Sequence, residues 1–271
     1  MQKKYLVWGL AFLVSFSAVA ETVVIGCTTK CTGSYSKALK KVSEIFKTQL
    51  TVLDLSATSS PDLEKVDGIV IPGGVDIDPK YYLSEVEEEL RVYTRKLDHL
   101  VEYTSNGKKR DPFEFGLLGR YFKDRKLEDL PVLGICRGMQ MLAVSQGIPL
   151  YVDIKTELGI RNRRDLKDQI NVSDSDSILR ELFPGLSFLA VKNHHQGVRM
   201  DYYLKNSARW PNVKLTAVSN TGLIAEGLEF NDRPVLGVQF HPEEEFTTQG
   251  SKIFSWLVRA AMKRKESRKL P

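Results

Sequence analysis

Pro131-Val132-Leu133-Gly134-Ile135-Cys136-Arg137-Gly138-Met139 is the stretch that decides the fold of this chain. An apolar run ends at a cysteine flanked by glycines two positions away on each side. A strand turning sharply into a helix needs that arrangement, because a side chain at either glycine would crowd the backbone. The serine version is the nucleophile elbow, and Gly134-x-Cys136-x-Gly138 is its thiol counterpart. The turn exposes the sulfur at the carboxyl end of the sheet, where open α/β folds bind ligands. It also sets the sulfur at a helix N-terminus, whose free amides and dipole favour a thiolate.

Outward from this elbow, short apolar strands alternate with amphipathic helices. Strands are predicted at 22–26, 50–55, 68–71 and 132–135. Helices are predicted at 36–46 (Leu39, Val42, Ile45, Phe46), 112–121 and 139–144, and a last one at 253–262 carries Ile253, Trp256, Leu257 and Ala260. That alternation predicts an α/β fold with a mostly parallel sheet covered on both faces. Further strands at 187–191, 215–218, 223–227 and 235–240 read as a mixed set on the same core. A chain of 271 residues less a short leader suits a single domain of this class.

A second motif completes the chemistry. Val235-Leu236-Gly237-Val238-Gln239-Phe240-His241-Pro242-Glu243 ends a strand with a histidine and a carboxylate two residues apart. Cys136, His241 and Glu243 read as nucleophile, base and orienter. His241 takes the thiol proton and returns it to a leaving amine; Glu243 holds the imidazole in one tautomer and favours its charged form. The attacked carbonyl needs amide donors, each worth roughly 3 kcal/mol. The amide of Arg137 is one candidate, and Pro72-Gly73-Gly74 supplies Gly73 or Gly74 as the second. The pattern points to acyl transfer from an amide.

The first twenty residues read as a secretory signal, with Lys3 and Lys4, an apolar run from Tyr5 to Ser17, and Ala18-Val19-Ala20 before a cut. A retained anchor, or a lipoprotein cut before Cys27, are the alternatives. Removal of the signal leaves residues 21–271 as the one folded domain, exported to the periplasm or secreted, and lowers the net charge from +5 to +3. The basic tail from Lys263 to Lys269 reads as a solvated helix end rather than a nucleic-acid arm. In an oxidising compartment Cys27 and Cys31 either bridge or stay two separate thiols, and spacing does not choose between them. No second Cys or His pair stands at metal-ligand spacing. The charged segment 84–102, with Val86, Leu90, Tyr93, Leu97 and Leu100 on one stripe, reads as an added helix over the edge of the site and 161–168 as a charged loop, each either solvated surface or a lid. Asn171-Val172-Ser173 fits a glycosylation acceptor that matters only in a eukaryotic source.

Gly134-Ile-Cys136-Arg-Gly-Met-Gln140, Pro72-Gly73-Gly74, Asn193-His194-His195-Gln196-Gly197 and Gln239-Phe-His241-Pro-Glu243 together resemble the class I glutamine amidotransferase-like superfamily. Arg110-Asp-Pro-Phe-Glu114 and His194-His195-Gln196 lean toward its gamma-glutamyl hydrolases, especially the gamma-glutamyl-gamma-aminobutyrate hydrolase type. The resemblance implies a flavodoxin-like, doubly wound sheet and a Cys136-His241-Glu243 triad working through a glutamyl thioester, with no cofactor and no metal. It implies that Gln140 and the His195-Gln196 backbone meet the amino-acid end of a glutamyl group. On charge alone, Arg161, Arg163 or Arg164 could pair with its carboxylate. The insertion from Ser84 to Asn106 departs from compact members and bears on substrate identity. The partner this implies is a small gamma-glutamyl substrate, with no nucleic acid and no membrane after signal cleavage; a homodimer stays open. The alternatives are a folate polyglutamate gamma-glutamyl hydrolase, a glutaminase subunit, or a non-catalytic binding protein of the same fold.

Overall fold

A computed structural model describes residues 22–160, 167–244 and 248–269. The leader 1–20 and the arginines Arg161, Arg163 and Arg164 lie outside the described residues. In chain order the elements are β1 (Thr22–Cys27), α1 (Ser34–Phe46), β2 (Gln49–Asp54), β3 (Gly68–Ile71), α2 (Glu88–Lys96), α3 (Ser105–Lys123), β4 (Val132–Ile135) and α4 (Arg137–Val144). There follow β5 (Leu150–Tyr151), α5 (Ile154–Leu158), β6 (Lys167–Val172), α6 (Ile178–Leu182), β7 (Ser187–Val191), β8 (Gly197–Val198), α7 (Met200–Asn206), β9 (Val213–Ser219), β10 (Ala225–Phe230), β11 (Val235–Val238) and α8 (Thr248–Ser267).

Nine strands form one sheet in the order β2-β1-β3-β4-β11-β10-β9-β6-β7. From β2 to β11 every neighbour is parallel. From β11 outward the pairs are antiparallel. β4 lies between β3 and β11, so the loops that leave these three strands share one edge of the sheet. That adjacency brings together segments distant in sequence.

Strand alternation explains the two layers of core. Ile69, Ile71 and Val132 face one cluster with Leu117, Leu118 and Tyr121 of α3 and Met139 and Leu142 of α4. Val70, Leu133, Ile135, Leu236 and Val238 face the other, with Leu39 and Val42 of α1 and Ile253, Phe254 and Leu257 of α8. A period of two sends neighbouring residues to opposite faces, and both faces are covered, as continuous apolar strands require.

Three local expectations are corrected. The single helix expected over 84–102 is broken: α2 covers only nine residues, between tight turns at Leu83–Glu85 and Asp98–Leu100. Arg91 folds back onto the carbonyl oxygens of Leu83 and Val86, at 2.9 and 2.8 Å, and fixes the chain before α2 in a non-helical course. α3 begins well before Pro112, because the Thr104 hydroxyl caps it by accepting from the Gly107 N–H at 3.0 Å. Part of the stretch read as a charged loop is the start of β6, whose buried Ile170 and Val172 were too few to mark a strand. Cys27 and Cys31 form a disulfide. No helix of the described residues is long and apolar enough to cross a membrane.

Candidate active site

Cys136 leaves β4 and opens α4 with φ 52° and ψ −106°. A left-handed conformation in a residue with a side chain costs of order 1–3 kcal/mol and persists only where its surroundings impose it. Here the Cys136 N–H donates to Val238 O at 2.7 Å, and its carbonyl accepts from Gln140 N at 3.1 Å. Gly138 explains how the following turn fits. A Cβ on it would stand 2.0 Å from the Ile71 carbonyl oxygen, so α4 lies directly on β3. The sulfur is almost wholly buried.

His241 follows β11, and its N–H donates to Val191 O at 3.0 Å. Its Nδ1 donates to Glu243 Oε1 at 2.7 Å, which leaves Nε2 as the nitrogen for exchange with a nucleophile. Burial alone would lower the imidazole pKa. Contact with Cys136 and Glu243, and their charges, overcome that and raise it to about 11. Nε2 makes no directed hydrogen bond among the described residues; in ligand-free sites such bonds are often long or misaligned and tighten with substrate. The crowding at Gly73 measures the convergence. A Cβ there would lie 3.2 Å from His241 Cε1, 3.2 Å from Tyr35 Oη and 3.5 Å from Cys136 Cβ.

The Pro72-Gly73-Gly74 loop is held from two sides. Arg110 of α3 donates to Gly73 O and to Pro72 O, both at 2.9 Å. On the other side the Gly73 N–H donates to Tyr35 Oη at 2.9 Å. The Gly73 amide, expected to serve an oxyanion, therefore already has an acceptor in the ligand-free protein. Burial and the Glu243 charge push the Tyr35 pKa well up, so the phenol keeps its proton.

Beneath the elbow lies a buried ion network. Arg137, whose backbone amide was the point of interest, sends its guanidinium inward to Asp111 and Glu114. Arg110 meets Glu114 at 2.8 Å, and the Thr28 hydroxyl donates to Glu114 Oε1 at 2.6 Å. Burial alone would raise the Glu114 pKa, but Arg137 and Arg110 hold it below its ordinary value. One carboxylate thus ties the elbow, the glycine loop and the end of β1 together.

The three residues expected at the glutamyl end behave differently from one another. Gln140 Nε2 donates to Gln196 O at 2.9 Å and Gln239 Oε1 at 3.2 Å. Gln196 is buried, and its Oε1 accepts from Ile77 N at 3.0 Å. The Gln196 carbonyl also accepts from Nδ1 of His194 at 2.7 Å, and the His195 carbonyl accepts from Ile154 N. Burial lowers the His194 pKa to about 3, so that imidazole is neutral. Both carbonyls of the His195-Gln196 backbone, expected to meet a glutamyl group, thus accept hydrogen bonds within the protein. The His195 side chain is tied by Nε2 to Asp76 at 2.7 Å and lies 3.4 Å from Asp153, and the bond to Asp76 leads in raising its pKa. Reasoning from sequence missed Tyr35 and Asp76, which no motif marks. Gln239 was visible inside Gln-Phe-His-Pro-Glu but was given no task. Among the described residues no three His, Cys, Asp or Glu side chains are grouped to hold a metal ion.

Residues 17–243 match the family model described as peptidase C26. The chain belongs to the peptidase C26 family. Among curated relatives, Protein NtpR of Enterococcus hirae is 30% identical over 204 residues, 71% of this chain and 74% of that protein. A glutamine-hydrolyzing GMP synthase subunit of Ignicoccus hospitalis is 37% identical over 124 residues, 46% of this chain and 56% of that protein. Among solved structures, the Trypanosoma brucei CTPS glutaminase domain with bound acivicin aligns with TM-score 0.60 at 15% identity, over 89% of this chain and 94% of that one. A GMP synthase subunit from Thermoplasma acidophilum aligns with TM-score 0.56 at 20% identity, over 92% and 98%. These likenesses establish the α/β fold of glutamine amidotransferase-like proteins. C26 membership makes the chain a hydrolase of that class.

Proposed function

We propose that this C26 protein is a cysteine hydrolase that cleaves gamma-glutamyl amide bonds through a glutamyl thioester on Cys136. The observation that carries the reading is the convergence on Gly73 of Cys136 and of a His241 already paired with Glu243. The Cys136 thiolate attacks the gamma-carbonyl carbon, and the carbonyl oxygen becomes an oxyanion that faces the amides of Arg137 and the Gly73-Gly74 loop. The carbon–nitrogen bond breaks as the His241 imidazolium gives its proton to the departing amine. Water then attacks the thioester while His241 takes its proton, and the carbon–sulfur bond breaks to release the gamma-carboxylate. Glu243 keeps Nε2 directed at the reacting groups throughout, since Nδ1 is held. Gln140 lies one helical turn after Cys136 and is hydrogen-bonded to the Gln196 carbonyl and to Gln239, an uncharged polar cluster that the neutral His194 imidazole joins and that would flank a bound glutamyl group.

Residues 1–20 then serve as a secretory signal and residues 21–271 as the exported domain. The Cys27–Cys31 disulfide supports that reading, because such bonds persist in oxidising compartments. Edman sequencing of material recovered outside the cytosol should begin at Glu21.

The test is a panel of gamma-glutamyl-p-nitroanilide, gamma-glutamyl-gamma-aminobutyrate, glutathione, a folate polyglutamate and free glutamine, each with wild type and Cys136→Ala. Release from one or more gamma-glutamyl amides by wild type alone is expected. Turnover confined to glutamine would favour the glutaminase reading that the names of the relatives raise. Binding without release would favour a carrier, and equal release by both proteins would overturn the assignment of Cys136.

A further inference from the structure

The Cys27–Cys31 disulfide lies next to the site without belonging to it, and Tyr35 is the residue between them. Cys27 is the last residue of β1, buried and paired with Val70 of β3 and Asp54 of β2. The chain leaves it through Thr28, whose N–H donates to Val70 O at 3.1 Å, and returns through Cys31, with a Thr32 N–H to Lys30 O bond at 3.0 Å on the way. Gly33, at φ 62°, then caps α1. Tyr35 stands in the first turn of α1, four residues after Cys31. Its hydroxyl accepts from the Gly73 N–H, within 3.2 Å of where a Gly73 Cβ would be. The bridge thus pins the start of α1 to the end of β1, and the start of α1 carries the phenol that orients the Gly73 peptide. Arg110 holds the carbonyl of that peptide and Tyr35 holds its N–H. Two glycines in succession have wide backbone freedom, so both restraints matter for the loop beside Cys136.

We propose that Tyr35 is a positioning residue for the Gly73 peptide and that the Cys27–Cys31 bridge fixes Tyr35 in place, so that full turnover requires the bridge. The inference rests on the hydrolase reading for its kinetic arm alone. The phenol is not consumed: it sets the direction of the amide in the free protein, and the incoming carbonyl oxygen takes over as acceptor. Loss of the bridge leaves the loop at 28–33 and the first turn of α1 less restrained. The Gly73 amide then loses its acceptor.

The experiment is a double-mutant cycle with two readouts, using the mature protein. The variants are Tyr35→Phe, the pair Cys27→Ser with Cys31→Ser, and all three changes together. Hydrogen exchange of the 71–75 segment reads the amide directly and needs no substrate. Steady-state kinetics on the best gamma-glutamyl amide read the consequence. Faster exchange at 71–75 is expected in both Tyr35→Phe and the bridge variant. A fall in kcat of about 10- to 100-fold with KM within twofold is expected in both, the range that follows from misplacing a group by about 1 Å. In the Tyr35→Phe background, loss of the bridge should lower kcat by less than a further twofold. Wild-type exchange and kcat in the bridge variant would overturn the proposal. So would a silent Tyr35→Phe beside a damaged bridge variant, because the hydroxyl would then not be the link. If the bridge variant fails to fold, wild type treated with a phosphine replaces it: the phosphine is oxidised to its oxide as the disulfide becomes two thiols. Should wild type turn over none of the substrates, the hydrolase reading fails, while the exchange arm still decides the role of Tyr35.

Discussion

Gly138→Ala is the substitution whose effect can be worked most directly from the geometry. The added methyl would sit 2.0 Å from the Ile71 carbonyl oxygen, and real Cβ atoms do not approach closer than about 3.0 Å. The obstacle is backbone in β3, so no side chain can swing aside. α4 must move off the sheet by about 1 Å, and Cys136, one residue before that helix, moves with it. Overpacking of this kind costs about 1–3 kcal/mol, which for a domain of this size lowers Tm by roughly 2–12 °C. With Cys136 as the proposed nucleophile, a displacement of about 1 Å there costs on the order of 100-fold in kcat. Gly116→Ala is the matched control: it lies in the exposed interior of α3 with open space around its Cβ position. It should raise stability by about 1 kcal/mol, the helix propensity difference between the two residues, and leave turnover unchanged. The assay is thermal melting together with hydrolysis of gamma-glutamyl-p-nitroanilide. A Gly138→Ala protein with wild-type Tm and wild-type kcat would refute the account of how the elbow sits on β3.

Three further outcomes follow from the charges. Glu114→Gln leaves Arg110 and Arg137 buried without their shared anion, and urea unfolding should show a loss of about 3–5 kcal/mol; a loss under about 1 kcal/mol would contradict the network. Glu243→Gln removes one of the two anions that raise the His241 pKa to about 11. The alkaline limb of its pH–kcat profile should move to lower pH, with kcat down by about 100-fold or more; an unmoved limb would count against the pairing. His195 has a raised pKa, led by its bond to Asp76. Its stabilisation is therefore fully present below the unfolded value of about 6.5 and is lost as pH rises through the folded value. His195→Gln should be less stable than wild type by up to about 1 kcal/mol near pH 5.5, because the side chain is partly exposed. The difference should vanish at alkaline pH, and a gap that grows with pH would contradict the sign.

Much of the fold was legible because the parallel half of the sheet is written in continuous apolar runs. Gly68–Ile71 and Val132–Ile135 were read with the bounds they have. The antiparallel half is written in shorter, more polar strands, and β6 shows the limit: two buried residues among six do not announce a strand. Pro112 misled for a different reason. Proline often starts a helix, but here a threonine cap begins α3 seven residues earlier. At the candidate site, Cys136, His241 and Glu243 could be singled out from sequence because a glycine pair and a His-Pro-Glu are local patterns, and the structure brings Cys136 and His241 to Gly73 and pairs His241 with Glu243. Tyr35, Arg110 and Asp76 act across the fold, over sequence separations of 38, 37 and 119 residues from their partners. No local pattern encodes such pairings. Arg110 and Glu114 were noticed only as a family feature. Their task, clamping the glycine loop and the elbow from below, required the adjacency of β3 and β4.

The most direct measurement is mass spectrometry of the peptide carrying Cys136 after acid quenching of turnover with a gamma-glutamyl amide. A glutamyl adduct on that sulfur, absent when the substrate is omitted, is the expected result. Hydrolysis that proceeds with the sulfur unmodified at every quench time, and that survives Cys136→Ala, would contradict it.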